Sequence, residues 1–414
     1  MVSPIPPDNR KVEAVRAALP ATAAGIYLNT GTAGPLPSET AAAMAEVSEW
    51  EVRTGRGAAA IFEARGQRLD EARAAVAAVL ATDIDSVALT HATSDGMNVA
   101  QWGVDWRPGD NAVVGSLDHI GGLAGLYAVR ERHGIDLRFA SVADAPDDDA
   151  AVEAFERSVD ERTRVVSLSH VAWSTGRVLP VARIAAMARD RGALVAVDGA
   201  QAVGAIAVDP DALGADVYAF PGQKWLLGPD GMGAAWIRPS AVERISMSRA
   251  SYLSFERSDG AGRSVPWPQA RRFESSGFHA PSVTGLARSC GWLAMYVGLG
   301  WAFGRAGRLA ASTATGLAAI PGVTVLTPGD AMATLVTFRV SRWPAEAALD
   351  ELGRRIFAIA RAVPSLDAIR LSVAFFNTEV EIERVLHAVA ELAAHTPETL
   401  PRRPALTILG EGEG

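Results

Sequence analysis

The sequence predicts an α/β protein: a large domain built on a mostly parallel sheet, followed by a smaller α+β domain. Three observations lead there. Short apolar runs of strand length alternate with Ala-rich segments of helical period from about residue 86 to about residue 238. Polar residues gather just past the ends of those runs, where open α/β sheets bind their ligands. Beyond residue 238 the rhythm changes and helices and strands no longer alternate one for one.

The runs 86–90, 111–115, 136–140, 164–169, 193–198, 216–220 and 233–238 read as strands, seven in all. Helical periods fill 95–104, 121–132, 148–159 and 180–191, and the acidic loop 144–149 is expected in solvent. Residues 248–276, rich in Ser, Arg, Pro and Gly, read as irregular chain covering a site. A long apolar helix pattern follows over 281–317. Within it, 290–303 carries Gly291, Gly298 and Gly300, is too short to cross a bilayer, and reads as a buried core helix. Strands at 323–326 and 333–340, a helix over 344–359, and a strand and helix over 368–392 complete the second domain. The expected division is an N-terminal segment 1–29 packing with the small domain, a large domain 30–285, a small domain 286–396 and a flexible tail 397–414.

Composition narrows the function. With 414 residues, 49% hydrophobic and 21% charged, the chain has ample material for a core. A net charge of −8 and the lack of any basic run argue against nucleic acid or an anionic membrane as partner. The first ten residues are polar and Pro-rich with no hydrophobic signal region, so a cytoplasmic protein is expected. A single cysteine, Cys290, leaves no internal disulfide and no cysteine-built metal site, and no metal is expected.

Of 39 basic residues only two, Lys11 and Lys224, are lysines. Where charge alone is wanted this chain uses arginine, so a retained lysine asks for a reason. Lysine alone offers a neutral primary amine for a Schiff base, because guanidinium stays protonated. Lys11 falls in an N-terminal region expected to be mobile and is read as incidental. Lys224 lies in Phe220-Pro221-Gly222-Gln223-Lys224-Trp225, at a strand end.

The preceding strand ends in Asp198-Gly199-Ala200-Gln201. A carboxylate ending an apolar strand is costly to bury unless a cation meets it. A protonated pyridine nitrogen is one such cation; a plain helix cap is the simpler use of the residue. Two neighbouring strand ends would deliver Asp198 and Lys224 to one edge of the sheet. After 86–90, Thr93 and Ser94 open a helix whose free N–H groups suit a phosphate, although a plain N-cap would look the same.

Residues 197–204 and 214–233, which hold these two strand ends, closely resemble class V aminotransferases, in the group of cysteine desulfurases and isopenicillin N epimerases. Residues 28–34, Asp118-His119, Ser169-His170 with Trp173, and Arg370 with Asn377 fall in the family's order, and the resemblance spans about Leu28 to Leu392. It implies a fold type I enzyme dependent on pyridoxal 5′-phosphate (PLP). Lys224 would form the Schiff base and move protons at the substrate Cα. Asp198 would pair the pyridine nitrogen, Gln201 would reach the ring phenolate, and His119 would stack on the ring. Thr93 and Ser94 would hold the phosphate, and Trp173 would narrow the site beside the ring. Arg370, with Asn29, would hold the substrate carboxylate. Pro221 and Gln223 depart from the small hydroxyl residue and histidine that desulfurases carry there, which puts phosphate contact from that turn in question. A homodimer acting on a small amino-acid substrate is also implied.

Desulfurases use a mobile, exposed thiolate. Cys290 sits in an apolar run, and the stretch ahead of Arg370 holds no cysteine. The readings left open are β-elimination of the C–S lyase type, transamination, and epimerisation, with specialised metabolism as the setting. A non-catalytic sensor or scaffold on the same fold is the alternative of another class. A dinucleotide site is excluded because no strand is followed by Gly-x-Gly-x-x-Gly, and no P-loop is present.

Overall fold

The computed structural model describes residues 8–401. Its large sheet is made of β1 (Val87–Thr90), β2 (Asn111–Gly115), β3 (Asp136–Ala140), β4 (Thr163–Ser169), β5 (Leu194–Asp198), β6 (Val217–Pro221) and β7 (Gly233–Ile237). All seven lie within one residue of the expected bounds. Their order is β1-β7-β6-β5-β4-β2-β3, and β7 alone runs antiparallel to its neighbours.

β5, β6 and β7 are buried at every position, as strands covered on both faces must be. Alternate residues feed two cores. Val113, Val166, Val195 and Tyr218 point to one. Ala112, Val165, Ala196 and Val217 point to the other. Register then does the functional work: Ser169 pairs with Asp198, and Asp198 with Ala219, so the ends of β4, β5 and β6 stand level.

A third core holds Val336, Phe338, Ile369 and Leu371 from an antiparallel sheet of β8 (Val323–Val325), β9 (Leu335–Val340), β10 (Arg361–Val363) and β11 (Ala368–Ser372), in the order β8-β9-β11-β10. Ile26 and Leu28 from the start of the chain pack into that same core, and Ile26–Tyr27 pairs in parallel with Ala358–Ile359. Helix Ala280–Gly291 runs across position 285, and its Val283, Leu286 and Cys290 belong to the core of the large sheet.

Several expectations are corrected. The apolar pattern 281–317 is not one helix. It runs as Ala280–Gly291, then a π-helical turn Trp292–Val297, then Leu299–Ala318, and Gly298 at φ +80° makes the break. Nor is 290–303 wholly buried: Met295 is 87% exposed on the π turn. The helix expected over 344–359 stops at Ile356, because Phe357 turns left-handed and frees Ala358–Ile359 to become a strand. Residues 248–276 include a hairpin, Phe255–Ser258 with Ser264–Pro266. Lys11 lies on helix Asp8–Ala17 with its ammonium 4.3 Å from the centre of the Trp301 ring, a cation–π contact rather than a mobile stray. Of the expected tail, 402–414 lie outside the described residues. Among the described residues no helix is long and apolar enough to cross a membrane.

Two glycines fix the turn that carries Lys224. The Gly34 N–H donates to the Gln223 carbonyl at 2.7 Å, and a Cβ on Gly34 would sit 2.3 Å from the Lys224 carbonyl oxygen. Gly204, at φ +91°, lets the chain pass the Trp225 carbonyl, which a Cβ would approach to 2.6 Å. Gly204→Ala is expected to lower the unfolding free energy by about 3 kcal/mol, from overpacking and left-handed strain together, as read by denaturant titration.

Candidate active site

The level ends of the parallel strands enclose a cavity of about 220 Å³. Thr93, Ser94, His119, Trp173, Asp198, Gln201 and Lys224 all line it, so seven of the expected residues meet in one place. None of residues 248–276 does.

Thr93 and Ser94 open helix Thr93–Trp102, and their own N–H groups have no intrahelical acceptor. The Ser94 hydroxyl donates to the Gly121 carbonyl at 2.6 Å, so its own proton is already committed. His119 is both a helix cap and a cavity residue. Its Nδ1 accepts from the Gly121 N–H at 3.0 Å, which places the ring proton on Nε2. Its ring stands edge-on to Trp173, centroids 5.2 Å apart. Trp173 is therefore a cavity wall and not core packing.

Asp198 is buried, with Oδ1 accepting the Ala200 N–H at 2.9 Å. Burial raises its pKa and the nearby Lys224 opposes the rise. Burial likewise pulls the Lys224 amine down to about 8; Asp198 opposes this, while Arg370 and Arg361 add to it. His119 is held at about 4, first by burial and then by Lys224, Arg361 and Arg370.

Arg370 is 1% exposed. One of its nitrogens donates to the Trp173 carbonyl at 2.6 Å, while Nε is buried without a partner. Burial, then Arg361, lowers its pKa to about 9. Arg361, which sequence reasoning passed over, faces Arg370 directly across β10 and β11 and stacks 5.5 Å from the Trp173 ring. Both guanidiniums reach the Thr32 hydroxyl, at 3.2 and 3.4 Å. Like charges opposed in a sheet repel. The nine-residue spacing across a short turn was the available signal. Asn29 bridges to Ser372 through its backbone, its Oδ1 buried and unpartnered, outside the cavity wall.

Asp118 was noticed only as the neighbour of His119. Its carboxylate accepts from the Gly115 and Ser169 N–H groups, both at 2.8 Å, and so ties the ends of β2 and β4 together. Burial pushes it up to about 7. Behind Asp198, His170 Nδ1 and the Tyr218 hydroxyl share a hydrogen bond of 2.7 Å, and burial holds His170 at about 4. Cys290 lies elsewhere, fully buried, its thiol raised to about 12. No group of ligands able to hold a metal occurs among the described residues.

The Aminotransferase class-V family description matches residues 26–385, and the chain belongs to that family. A probable cysteine desulfurase of Methanothermobacter thermautotrophicus is 36% identical over 226 residues, 54% of this chain; the match spans only 55% of that relative's length. The isopenicillin N epimerase of Streptomyces clavuligerus is 33% identical over 283 residues, 64% of this chain and 69% of that protein. Among solved structures, the cystine C–S lyase C-DES, in complex with its product cysteine persulfide, superposes with a TM-score of 0.85 at 28% identity over 90% of this chain and 99% of that one. Another C-DES structure, with glycine covalently linked to its PLP cofactor, gives the same score over 91% of this chain. The cysteine desulfurase of Thermococcus onnurineus shares the fold, with a TM-score of 0.80 at 23% identity.

Because three cations hold His119 down, removing one must let its pKa rise. Lys224→Met is expected to move the His119 midpoint upward from about 4 while burial keeps it below 6.5; ring-proton NMR of the cofactor-free chain over pH 3 to 8 measures it.

Proposed function

We propose that this chain is a PLP-dependent enzyme that works at the Cα of an amino acid and eliminates a thiol from Cβ of an S-substituted cysteine. The observation that carries the amino-acid reading is the opposed Arg361–Arg370 pair, outside the cavity wall but joined to it through Trp173, without a carboxylate in ion-pair contact with either among the described residues. An anion placed between them cancels the repulsion, and an α-carboxylate matches guanidinium geometry.

The residues present fit PLP. Asp198 is a buried carboxylate in want of a cation, which a pyridinium nitrogen supplies. The N–H groups opening helix Thr93–Trp102, with the Thr93 hydroxyl, suit the phosphate. Lys224, at about 8, keeps an accessible neutral amine near neutral pH and would hold the cofactor covalently. When bound, PLP supplies an electron sink for the pair left at Cα. Lys224 then takes the Cα proton, Arg361 and Arg370 hold the carboxylate still, and neutral His119 with Trp173 walls the cavity. The Cβ–S bond breaks, sulfur leaves as a thiol, and the released enamine hydrolyses to pyruvate and ammonium.

Support for C–S cleavage comes from the full-length likeness to a cystine C–S lyase and from the position of the sole cysteine. Buried Cys290 cannot act as a sulfur acceptor. The epimerase relatives favour a second reading, in which the Cα proton returns to the opposite face and nothing leaves. Transamination differs from both by consuming a keto acid.

Incubated with an S-substituted cysteine and no keto acid, the purified enzyme is expected to release pyruvate over many turnovers. Lys224→Ala is expected to slow it about a thousandfold or more. Absence of pyruvate with solvent deuterium entering Cα and loss of optical purity would replace elimination by epimerisation. Cys290→Ala is expected to leave turnover within about twofold, since the thiol acts only as a small core residue; a folded but inactive variant would overturn the proposed route.

A further inference from the structure

Trp225 follows the lysine directly and is 3% exposed, outside the cavity wall. Its indole N–H donates to Gln201 Oε1 at 2.9 Å, and Gln201 Nε2 donates to the Gly31 carbonyl at 2.8 Å. An indole can only donate and a carbonyl can only accept, so the two partners together fix which end of the amide is which. Gln201 therefore commits its oxygen to Trp225 and one N–H to Gly31. What its amide nitrogen has left for the cavity it lines with Asp198 and Lys224 is a single N–H.

We propose that Trp225 is a positioning residue that holds the Gln201 amide as a donor, never an acceptor, toward the anionic ring oxygen of the cofactor. The inference rests on the PLP reading above. Of the cofactor's polar groups, the phosphate belongs with the helix N-terminus at Thr93. The pyridine nitrogen belongs with Asp198, three residues before Gln201 in the same turn. The ring oxygen remains, and it sits beside the carbon that Lys224 would bond. A donor there draws negative charge from that oxygen and weakens its hold on the proton it shares with the lysine nitrogen. The linkage between Lys224 and the cofactor then loses its proton at lower pH. Without the indole N–H, the buried Gln201 oxygen has no donor and only the Gly31 carbonyl still orients the amide, so the N–H it turns to the cavity is held less firmly.

The test is a titration of the holoenzyme's cofactor absorbance from pH 5.5 to 10 in the wild type, Trp225→Phe, Gln201→Ala and the double variant. Each single change is expected to raise the midpoint by about one pH unit, the scale of one lost hydrogen bond. The double variant is expected to shift no further than Gln201→Ala alone, because Trp225 acts through that side chain. Packing loss by itself would not produce this dependence. A wild-type midpoint in Trp225→Phe overturns the inference, as does an equal further shift when Trp225→Phe is added to Gln201→Ala. Should Trp225→Phe fail to fold, an unshifted Gln201→Ala overturns it unaided. A wild-type chain that takes up no PLP overturns the cofactor reading and this inference together, and the absorbance of the wild type separates that case from the others.

Discussion

Asp198 ends a strand with no exposed face, and its surroundings are organised around the expense of burying a carboxylate there. Lys224 answers it from the end of the neighbouring strand, because the parallel register of β5 and β6 leaves no other place for that turn to emerge. Gly34 and Gly204 let two other stretches of chain press against the same turn. Asp118 welds the ends of β2 and β4 beside it. The sheet thus behaves as a jig: one shift in register would separate acid from amine and empty the site of its chemistry.

The second domain contributes what the sheet lacks. Arg370 comes from a buried strand and Arg361 from the strand beside it, and the partners the structure gives their guanidiniums are neutral groups, the Thr32 hydroxyl and the Trp173 carbonyl and ring, which leave their mutual repulsion uncancelled. An anion cancels it. On the function proposed above, substrate binding and the relief of this repulsion would be one event, and the affinity for a carboxylate would draw on strain already present in the empty protein.

Much of this was readable from the residues alone. Most of the seven strands were legible because a strand buried on both faces is an unbroken apolar run, whereas the edge strand Asp136–Ala140, with Asp136 and Arg138 in it, shows only a partial one. Lys224 was legible because lysine is so rare in this chain. Harder to see were features that depend on contact rather than pattern. Nothing local says that Trp225 meets Gln201, or that Asp118 reaches Ser169 across the sheet. The break at Gly298 hid inside a run that stays apolar through a change of helix type. Phe357 ended a helix by turning left-handed, which no glycine announced. Nothing near Lys11 in the sequence announces its partner, Trp301, which stands in a distant helix.

The segment from Ile26 to Gly34 touches every part of this arrangement. It pairs with Ala358–Ile359, brings Gly31 against Gln201 and Arg370, and ends on the turn of Lys224. During synthesis these residues are made before the large sheet, while Arg370 and Ser372 are made after it. The nascent chain can build its large sheet before the second domain exists, yet it must carry residues 26–29 unpaired until Ala358–Ile359 and Ser372 have followed. Completion of the cavity's surroundings is in this sense a late checkpoint, passed only by a chain whose second domain has been made.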